Sequence, residues 1–429
     1  MRFDPLRALS QRPTILFAAA CVAVLAAGCT APPRGAARAA HDDIGNDVRL
    51  NAARLAEIDA AIDAAIAARQ LPGAVFHLER DGASYERAYG RLTYAADAAP
   101  VTTHTVFDAA SLTKVLATAP SVLMLAEEGK IDLDARLAQY FPECAGQGKA
   151  AITIRHLLTH SSGLPAGLPA IPGWQGAAAA HALACSQAVD HAPGTFFRYS
   201  DINYILLGQL VERVSGMALD EFTRTRIYAP LRMRDTGYLP MRRGVPLPGI
   251  APTQLGRAPV ENEKNAHADL APGQLLEGVV HDPTARRMDG VAGSAGVFTT
   301  AADVARYARM VLAGGTLDGV RILSPDSVRL LTTVQSPPGI AARGLGMDID
   351  SPYAVRPRGT LFPVGSFGHT GFTGCVLWID PGSRTFYVLL SNRVYPDDKS
   401  NVLALYTRLG TLAAEAGGVA AGASARALR

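Results

Sequence analysis

Apolar residues recur at the spacing of a helix near the start of the chain. The side chains that follow this period are Leu55, Ile58, Ile62 and Ile66. Residues three and four apart share one face of a helix, so we predict an amphipathic helix over residues 48–69. Two segments, 73–80 and 84–90, flank an Asp81-Gly82 turn. Short runs on either side of such a turn predict a β-hairpin.

The last part of the chain also has the pattern of a β-hairpin, with helical patterns before and after it in the sequence. Apolar segments at 374–379 and 385–391 are joined by Asp380-Pro381-Gly382-Ser383, which predicts two antiparallel strands. Helical patterns cover 301–313, 325–332 and 400–415. We therefore predict a mixed α and β fold, in which the early and late strands form one antiparallel sheet with flanking helices. A mostly helical second lobe spans about residues 130–290, and a ligand would bind between the two lobes.

The first residues have the pattern of an export signal. Arg2, Arg7 and Arg12 precede an apolar run over 15–27, which is too short for a comfortable membrane span. The small residues before Cys29 resemble a bacterial lipobox. We therefore predict a signal peptide over 1–28, a lipid anchor on Cys29 and a tether over 29–47. An ordinary signal peptide, cleaved nearby, and an uncleaved anchor are the alternatives.

This interpretation places the protein in the bacterial cell envelope, on the periplasmic side, attached to a membrane. The catalytic domain would then span 48–415, and residues 416–429 would form a flexible tail. In an oxidising compartment Cys144 and Cys185 could pair and leave one thiol over. No Cys/His spacing resembles a zinc site, so we expect no structural metal.

Composition limits the classes of partner. The chain has 429 residues, 48% hydrophobic and 18% charged, which is enough apolar material for a sizeable core. Its net charge is +3 and no run of basic residues stands out. Nucleic-acid binding therefore has no electrostatic support.

The strongest chemical signal is the segment Ser111-Leu112-Thr113-Lys114. On a helix, residues three apart share a face, so the hydroxyl of Ser111 and the amine of Lys114 can touch. Serine is a weak nucleophile and needs a base beside it. Apolar residues surround Lys114 in the sequence, and burying a charged side chain among them costs free energy, so its presence indicates a function. A lysine that burial keeps partly neutral can be that base. We predict that Ser111 and Lys114 are catalytic.

Two further segments would complete the site. The phenol of Tyr199 can relay a proton near Ser111, and the carboxylate of Asp201 can hold the ammonium of Lys114. The segment His369-Thr370-Gly371 leads through Phe372 towards a strand. Glycines let a strand lie close to a substrate, where a backbone N–H can stabilise an oxyanion.

These motifs, in this order, resemble the serine β-lactamase and penicillin-binding-protein-like hydrolases, in the class C branch. The resemblance covers residues 51–415 and places Tyr199-Ser200-Asp201 at the family's Tyr-x-Asn motif and His369-Thr370-Gly371 at its Lys-Thr-Gly motif. It implies the β-lactamase/transpeptidase-like fold and a Ser111 acyl-enzyme, with Lys114 and Tyr199 sharing the role of base. The N–H groups of Ser111 and Phe372 would form the oxyanion hole, and no cofactor is needed.

Two residues depart from the family pattern. Asp201 replaces an asparagine that donates a hydrogen bond to an acylamide, and an ionised carboxylate cannot donate. His369 replaces a lysine that attracts a substrate carboxylate, and histidine is only partly charged near neutral pH. Both changes weaken the prediction of an efficient β-lactamase. The segment containing His281 and Asp282 resembles a stretch of some periplasmic penicillin-binding proteins. It either lines the cleft or is a turn with a capping aspartate.

Three interpretations remain open at this point. The first is a serine hydrolase that cleaves amide or ester carbonyls in cell-wall D-amino-acid peptides, β-lactams or small esters. The second keeps the fold without turnover, as a penicillin-binding or sensor module that stays acylated. The third is an α/β-hydrolase in which Ser294 is the nucleophile, because residues 292–296 loosely match its nucleophile elbow.

Overall fold

The early and late strands pair in one sheet. The computed structural model describes residues 49–169, 171, 173–258 and 270–419, and within them this sheet has seven strands. They are β1 (Gly73–Arg80), β2 (Ala83–Gly90), β3 (Ala342–Arg343), β4 (Asp348–Asp350), β5 (Phe367–Gly371), β6 (Cys375–Asp380) and β7 (Thr385–Ser391). Their order is β2-β1-β7-β6-β5-β4-β3, and all neighbours are antiparallel. The predicted sheet is confirmed.

Both faces of this sheet are covered, which explains the apolar runs in its central strands. In β7, Phe386, Val388 and Leu390 pack into the core beneath the helical lobe, whereas Tyr387 and Leu389 pack into a second core on the opposite face. The alternation follows from the two-residue period of a strand. Helices at the two ends of the chain cover that opposite face.

The helices agree in place with the sequence prediction and differ at their ends. They are α1 (Ala52–Ala67), α2 (Ala119–Glu127), α3 (Leu137–Tyr140), α4 (Ile154–Leu158), α5 (Ala177–Ser186), α6 (Asp201–Ser215), α7 (Leu219–Thr223), α8 (Pro283–Arg287), α9 (Ala301–Leu312), α10 (Pro325–Thr332), α11 (Val355–Arg358) and α12 (Leu403–Ala416). Helices α3 to α8 lie in the segment predicted to be the helical lobe. Helices α1 and α12 bury their apolar faces on the sheet.

The segment after Ser111 is not the continuous α-helix that the sequence suggested. A 3₁₀ turn (Ala110–Leu112) and a π-helical turn (Lys114–Thr118) precede α2. Pro120 has no backbone N–H to donate, and the N–H of Ala119 reaches five residues back to Lys114. The carbonyl of Val115 accepts instead from the hydroxyl of Tyr307 at 2.6 Å. The wider turn is thus held by a side chain from α9.

The ends of the described region bear on the predicted processing. The signal peptide over 1–28, Cys29 and the tether over 29–47 lie outside the described residues. Residues 416–419 fall within the predicted tail, yet the N–H of Val419 donates to the carbonyl of Ala414 at 2.8 Å, and Val419 is buried against α12. Residues 420–429 lie outside the described residues. Among the residues that the structure describes, no helix has the length and apolar character needed to cross a membrane.

The cysteines pair as the sequence allowed. A disulfide joins Cys144 to Cys185, and Cys375 is a buried free thiol on β6. The disulfide connects the residue before the loop at 145–151 to the last turn of α5.

Candidate active site

A cavity of about 750 Å³ lies where β5 faces the helical lobe. It is bordered by most of the residues that the sequence singled out, which are Ser111, Tyr199, Asp201, His281, Asp282, His369, Thr370, Gly371 and Phe372. Lys114 lies directly behind Ser111 and is fully buried. The fold therefore brings together segments that are more than two hundred residues apart in the sequence.

The amine of Lys114 is held by three acceptors. Its Nζ donates to Ser111 Oγ at 3.0 Å and to the carbonyl of Ser294 at 2.8 Å, and it lies 2.7 Å from Asp201 Oδ1. An ammonium has three N–H donors, so this set of partners satisfies all of them. Ser111 is one of the three and also faces the cavity.

The charges around Lys114 decide its protonation. Burial by itself would lower the pKa of Lys114, but the carboxylate of Asp201 and the phenol of Tyr199 raise this pKa above its ordinary value. Lys114 is therefore an ammonium at neutral pH in the resting site. Asp201 thus does what the sequence predicted for it.

Tyr199 lies over the same amine. The Nζ of Lys114 is 5.0 Å from the centre of the Tyr199 ring, and Tyr199 borders the cavity together with Ser111. Burial raises the pKa of Tyr199, while the ammonium of Lys114 acts against that rise. The phenol is thus placed to exchange a proton with the serine.

The turn that carries Ser111 is held in a strained conformation. Ala110 has φ of 46°, in the left-handed region that alanine rarely adopts. Asp108 Oδ1 accepts from the N–H of Ala110 at 2.8 Å, and its Oδ2 accepts from the N–H of His281 at 2.7 Å. Burial raises the pKa of Asp108 to about 6. This carboxylate, which the sequence analysis overlooked, joins the serine turn to the His281 segment.

The peptide predicted to supply the second oxyanion donor is held by an arginine. The carbonyl of Phe372 accepts from Arg393 Nε at 2.8 Å, and the Arg393 guanidinium lies 4.3 Å from the centre of the Phe372 ring. Gly371 passes so close to the serine turn that a Cβ there would lie 2.5 Å from the carbonyl oxygen of Ala109. Only glycine allows this approach, which brings the Phe372 peptide next to Ser111.

A buried arginine borders the cavity near His369. Arg343 on β3 is fully buried; its Nη2 donates to the carbonyl of Gly346 at 2.9 Å, and its Nη1 lies 3.3 Å from Asp348 Oδ1. Its Nε and Nη1 lack a hydrogen-bond partner within the described residues. Burial and the charges of Arg343 and Lys114 hold the pKa of His369 well below its ordinary value. His369 is therefore neutral, and Arg343 is a cation of this wall.

Comparison with known proteins decides the family. The family model described as Beta-lactamase matches residues 58–411. The chain is 35% identical over 310 residues to a protein of Escherichia coli K12 named "Putative D-alanyl-D-alanine carboxypeptidase", covering 68% of this chain and 70% of the relative. The chain belongs to the beta-lactamase family. It is a serine hydrolase of the β-lactamase fold.

Solved structures of this fold extend the comparison. A penicillin-binding protein homologue from Caulobacter crescentus has a TM-score of 0.64 and 22% identity, covering 85% of this chain and 97% of its own. EstCE1, described as a hydrolase with promiscuous acyltransferase activity, has a TM-score of 0.64 and 22% identity, covering 84% and 99%. At this identity they show the common fold.

Both interpretations of the His281-Asp282 segment describe part of what it does in this beta-lactamase-family chain. Asp282 caps α8, with Oδ1 accepting from the N–H of Ala285 at 2.7 Å, and it also borders the cavity. His281 Nε2 lies 2.9 Å from Asp398 Oδ1. The segment is thus a structural turn whose side chains line the site.

The α/β-hydrolase alternative is wrong. The main sheet is antiparallel throughout, and Ser294 lies in a segment without a preceding strand. Ser294 is buried and contributes its carbonyl to Lys114. A Cβ at the neighbouring Gly293 would lie 2.0 Å from the carbonyl oxygen of Tyr204, so the close approach of this segment to α6 requires a glycine there.

Proposed function

We propose that this chain is a cell-envelope D,D-carboxypeptidase, which removes a terminal D-amino acid from cell-wall peptides through a Ser111 acyl-enzyme. The observation that carries the proposal is the contact of Ser111 with a fully bonded ammonium beside a cavity that also has a buried guanidinium. The names of the curated relatives support the substrate class, since such a peptide offers an amide carbonyl and a carboxylate.

The base in this proposal is Tyr199. The raised pKa of Lys114 keeps its amine protonated. The amine could accept the proton of Ser111 only after losing one of its own protons, and all three of its N–H groups have acceptors. The phenol of Tyr199 must first release its own proton to solvent. The ammonium of Lys114 stabilises the resulting phenolate, which takes the proton of Ser111 as Ser111 attacks the carbonyl. The same proton then passes to the departing amine, and water releases the acyl group.

The oxyanion of the tetrahedral intermediate would lie between two backbone N–H groups. The strained turn at Ala110 presents the N–H of Ser111, and the bonds of Arg393 fix the Phe372 peptide that presents the other. Donors fixed before the reaction stabilise developing charge without reorganisation, which makes them a large contribution to such catalysis.

The cation of the family's Lys-Thr-Gly motif is supplied from a different strand in this proposal. Neutral His369 does not attract a carboxylate, whereas the guanidinium of Arg343 borders the same wall, and its Nε has no hydrogen-bond partner in the described residues. Guanidinium groups form strong, charge-assisted hydrogen bonds with carboxylates. The terminal carboxylate of a substrate would accept from this Nε.

The experiment follows D-alanine release from an N-acylated D-alanyl-D-alanine peptide and from the same peptide capped as an amide. We expect Ser111→Ala to abolish release. Arg343→Met should raise KM for the free acid at least tenfold and leave KM for the capped peptide unchanged. The KM of Arg343→Lys for the free acid should lie between those of wild type and Arg343→Met. Equal effects of Arg343→Met on both peptides would contradict the role of Arg343. A melting curve of each variant checks that it folds.

An intact-mass time course with a fluorescent penicillin separates the remaining alternatives. A persistent adduct that requires Ser111, together with D-alanine release, supports the carboxypeptidase. A persistent adduct without D-alanine release indicates the sensor module. A transient adduct with hydrolysed drug indicates a β-lactamase, and Ser111-dependent cleavage of a nitrophenyl ester alone indicates an esterase.

The location is part of the proposal. Lipidation of Cys29 after removal of the signal peptide would attach the enzyme to a membrane on the periplasmic side. Labelling of the wild-type chain with a radioactive fatty acid, and loss of the label in Cys29→Ala, would support it. Unlabelled wild-type protein in the soluble periplasmic fraction would contradict the anchor.

A further inference from the structure

Three possible metal ligands meet outside the catalytic cavity. The sulfur atoms of Cys144 and Cys185 and one ring nitrogen of His181 all lie within 4.8 Å of one another. None of the three residues borders the catalytic cavity. His181 and Cys185 are four residues apart on α5, so they share a face of the helix, and Cys144 lies opposite them.

The separations suit a tetrahedral metal site. His181 Nε2 lies 3.5 Å from Cys185 Sγ. Zinc–sulfur and zinc–nitrogen bonds of about 2.3 and 2.0–2.1 Å at a tetrahedral angle give a sulfur–nitrogen distance of about 3.5 Å. The histidine and one cysteine therefore already stand at the distance that a shared zinc ion requires.

A second residue fixes which histidine nitrogen faces the sulfurs. The amide nitrogen of Gln209 donates to the carbonyl of Ala177 at 2.9 Å, so its Oε1 is the atom 2.8 Å from His181 Nδ1. Nδ1 therefore donates to Gln209, and Nε2 points towards Cys185. Metal-bound histidines are held in this way by a hydrogen bond to their other nitrogen.

A carboxylate lies beside the same nitrogen. Glu143 Oε1 is 2.8 Å from His181 Nε2, and Arg213 holds this carboxylate at 2.9 Å, so Glu143 is a hydrogen-bond partner of the free histidine. Two thiolates and one imidazole form a donor set that suits zinc better than calcium or magnesium. In the oxidised protein the sulfurs are bonded to each other and cannot act as thiolates.

We propose that Cys144, His181 and Cys185 bind a zinc ion whenever the Cys144–Cys185 disulfide is open. A dithiol reductant gives two electrons and two protons to the disulfide, which becomes two cysteine thiols, and is itself oxidised to a disulfide. Zinc then replaces the two thiol protons, which are released. The loop that the disulfide closes thus keeps a cross-link in either redox state.

The test compares the wild-type full chain with His181→Ala after reduction with a phosphine, which is oxidised to its oxide. Zinc uptake is measured by competition with a chromogenic chelator. Both chains contain the same remaining cysteines, so a difference of one zinc ion per chain reports this site. We expect that difference, and a zinc-dependent rise of the melting temperature in the reduced wild type alone.

Gln209→Ala provides a second variant that keeps every ligand. It should weaken zinc binding of the reduced chain by about 10–100-fold and leave the oxidised chain unaffected by zinc. Equal zinc uptake by reduced wild type and reduced His181→Ala would overturn the proposal. So would zinc uptake by the oxidised wild type equal to that of its reduced form, since the disulfide leaves no thiolates.

Discussion

Two clusters of charged side chains in this chain differ in what lies beside them. The catalytic cluster joins Lys114, Asp201 and Tyr199 to Ser111. The sheet cluster joins His77 and Glu79 on β1 to their neighbours: His77 Nδ1 is 2.9 Å from Glu86, and Arg309 Nε donates to Glu79 Oε1 at 2.8 Å. The members of the sheet cluster do not border the catalytic cavity.

The difference shows that buried charge does not by itself mark a catalytic site. In both clusters opposite charges offset the cost of burial. In the sheet cluster the charged groups bond to one another, and none of them borders the catalytic cavity. In the catalytic cluster one of the acceptors of Lys114 is a hydroxyl that faces the cavity and carries a transferable proton. The turn beside it is strained, as expected of a site selected for chemistry.

The largest effect is expected when Lys114, the cation of the catalytic cluster, is removed. Lys114→Ala leaves Asp201 without its partner and Tyr199 without a charge to stabilise a phenolate. We expect kcat/KM for the peptide to fall by roughly 10²–10⁴-fold. Arg309→Met in the sheet cluster is the matched control, and its kcat/KM should stay within about twofold. A comparable loss in both variants would remove the distinction between the clusters.

A substitution in the sheet cluster should lower the free energy of unfolding and leave kcat/KM unchanged. Glu79→Ala leaves His77 and Arg309 without their shared carboxylate, and removing one member of a buried charged set costs about 2–3 kcal/mol of unfolding free energy. We expect this loss in urea unfolding, with kcat/KM unchanged for the fraction that is folded. An unaltered unfolding midpoint would show that the sheet cluster contributes no net stability.

Asp201→Asn tests which residue is the base. Asp201 raises the pKa of Lys114, so Asp201→Asn lowers this pKa. If catalysis requires the ammonium, the alkaline limb of the pH profile of kcat/KM should move to lower pH by about one unit. At pH 9 the ammonium is still protonated in both proteins, so their activities should agree there, and they should differ by up to about tenfold only at the higher pH where the variant has lost its ammonium. A gain of activity on the alkaline side would instead identify neutral Lys114 as the base.

The smallest expected effect is on the pH dependence of stability. Burial lowers the pKa of His77, but its bonds to Glu79 and Glu86 raise this pKa above its ordinary value of 6.5, whereas the pKa of Glu79 is lowered to about 2. The stability from His77 is complete below pH 6.5 and is lost as the pH rises through its folded pKa. The stability from Glu79 is complete above its unfolded value of 4.5 and is lost as the pH falls towards 2.

We therefore expect His77→Gln to lose this dependence. Between pH 6.5 and pH 8 the unfolding free energy of wild type should fall by about 1 kcal/mol relative to the variant. Urea unfolding of both proteins at each pH measures the difference, from which the other titrating groups cancel. A constant difference across this range would show that His77 does not change its charge there.

Much of the fold was available from the sequence because hydrophobic period is a local property. The strands at 73–80 and Thr385–Ser391 and the helix at Pro325–Thr332 followed from it within a few residues. The turn after Ser111 did not, since a π-helical turn depends on the hydroxyl of Tyr307 from a distant helix. The π-helical hydrogen bonding there depends on this contact between distant residues, which no local sequence pattern contains.

The sequence alone determined the family, the nucleophile and the partners placed by its motifs, because the order of Ser-x-x-Lys, Tyr199 and His369 is written along the chain. Only the tertiary structure identified Asp108, Arg343 and the group around His181. These side chains belong to no motif, and their roles arise from burial beside residues far away in the sequence. Burial changes the free energy of a charge, and the fold alone decides which charges are buried together.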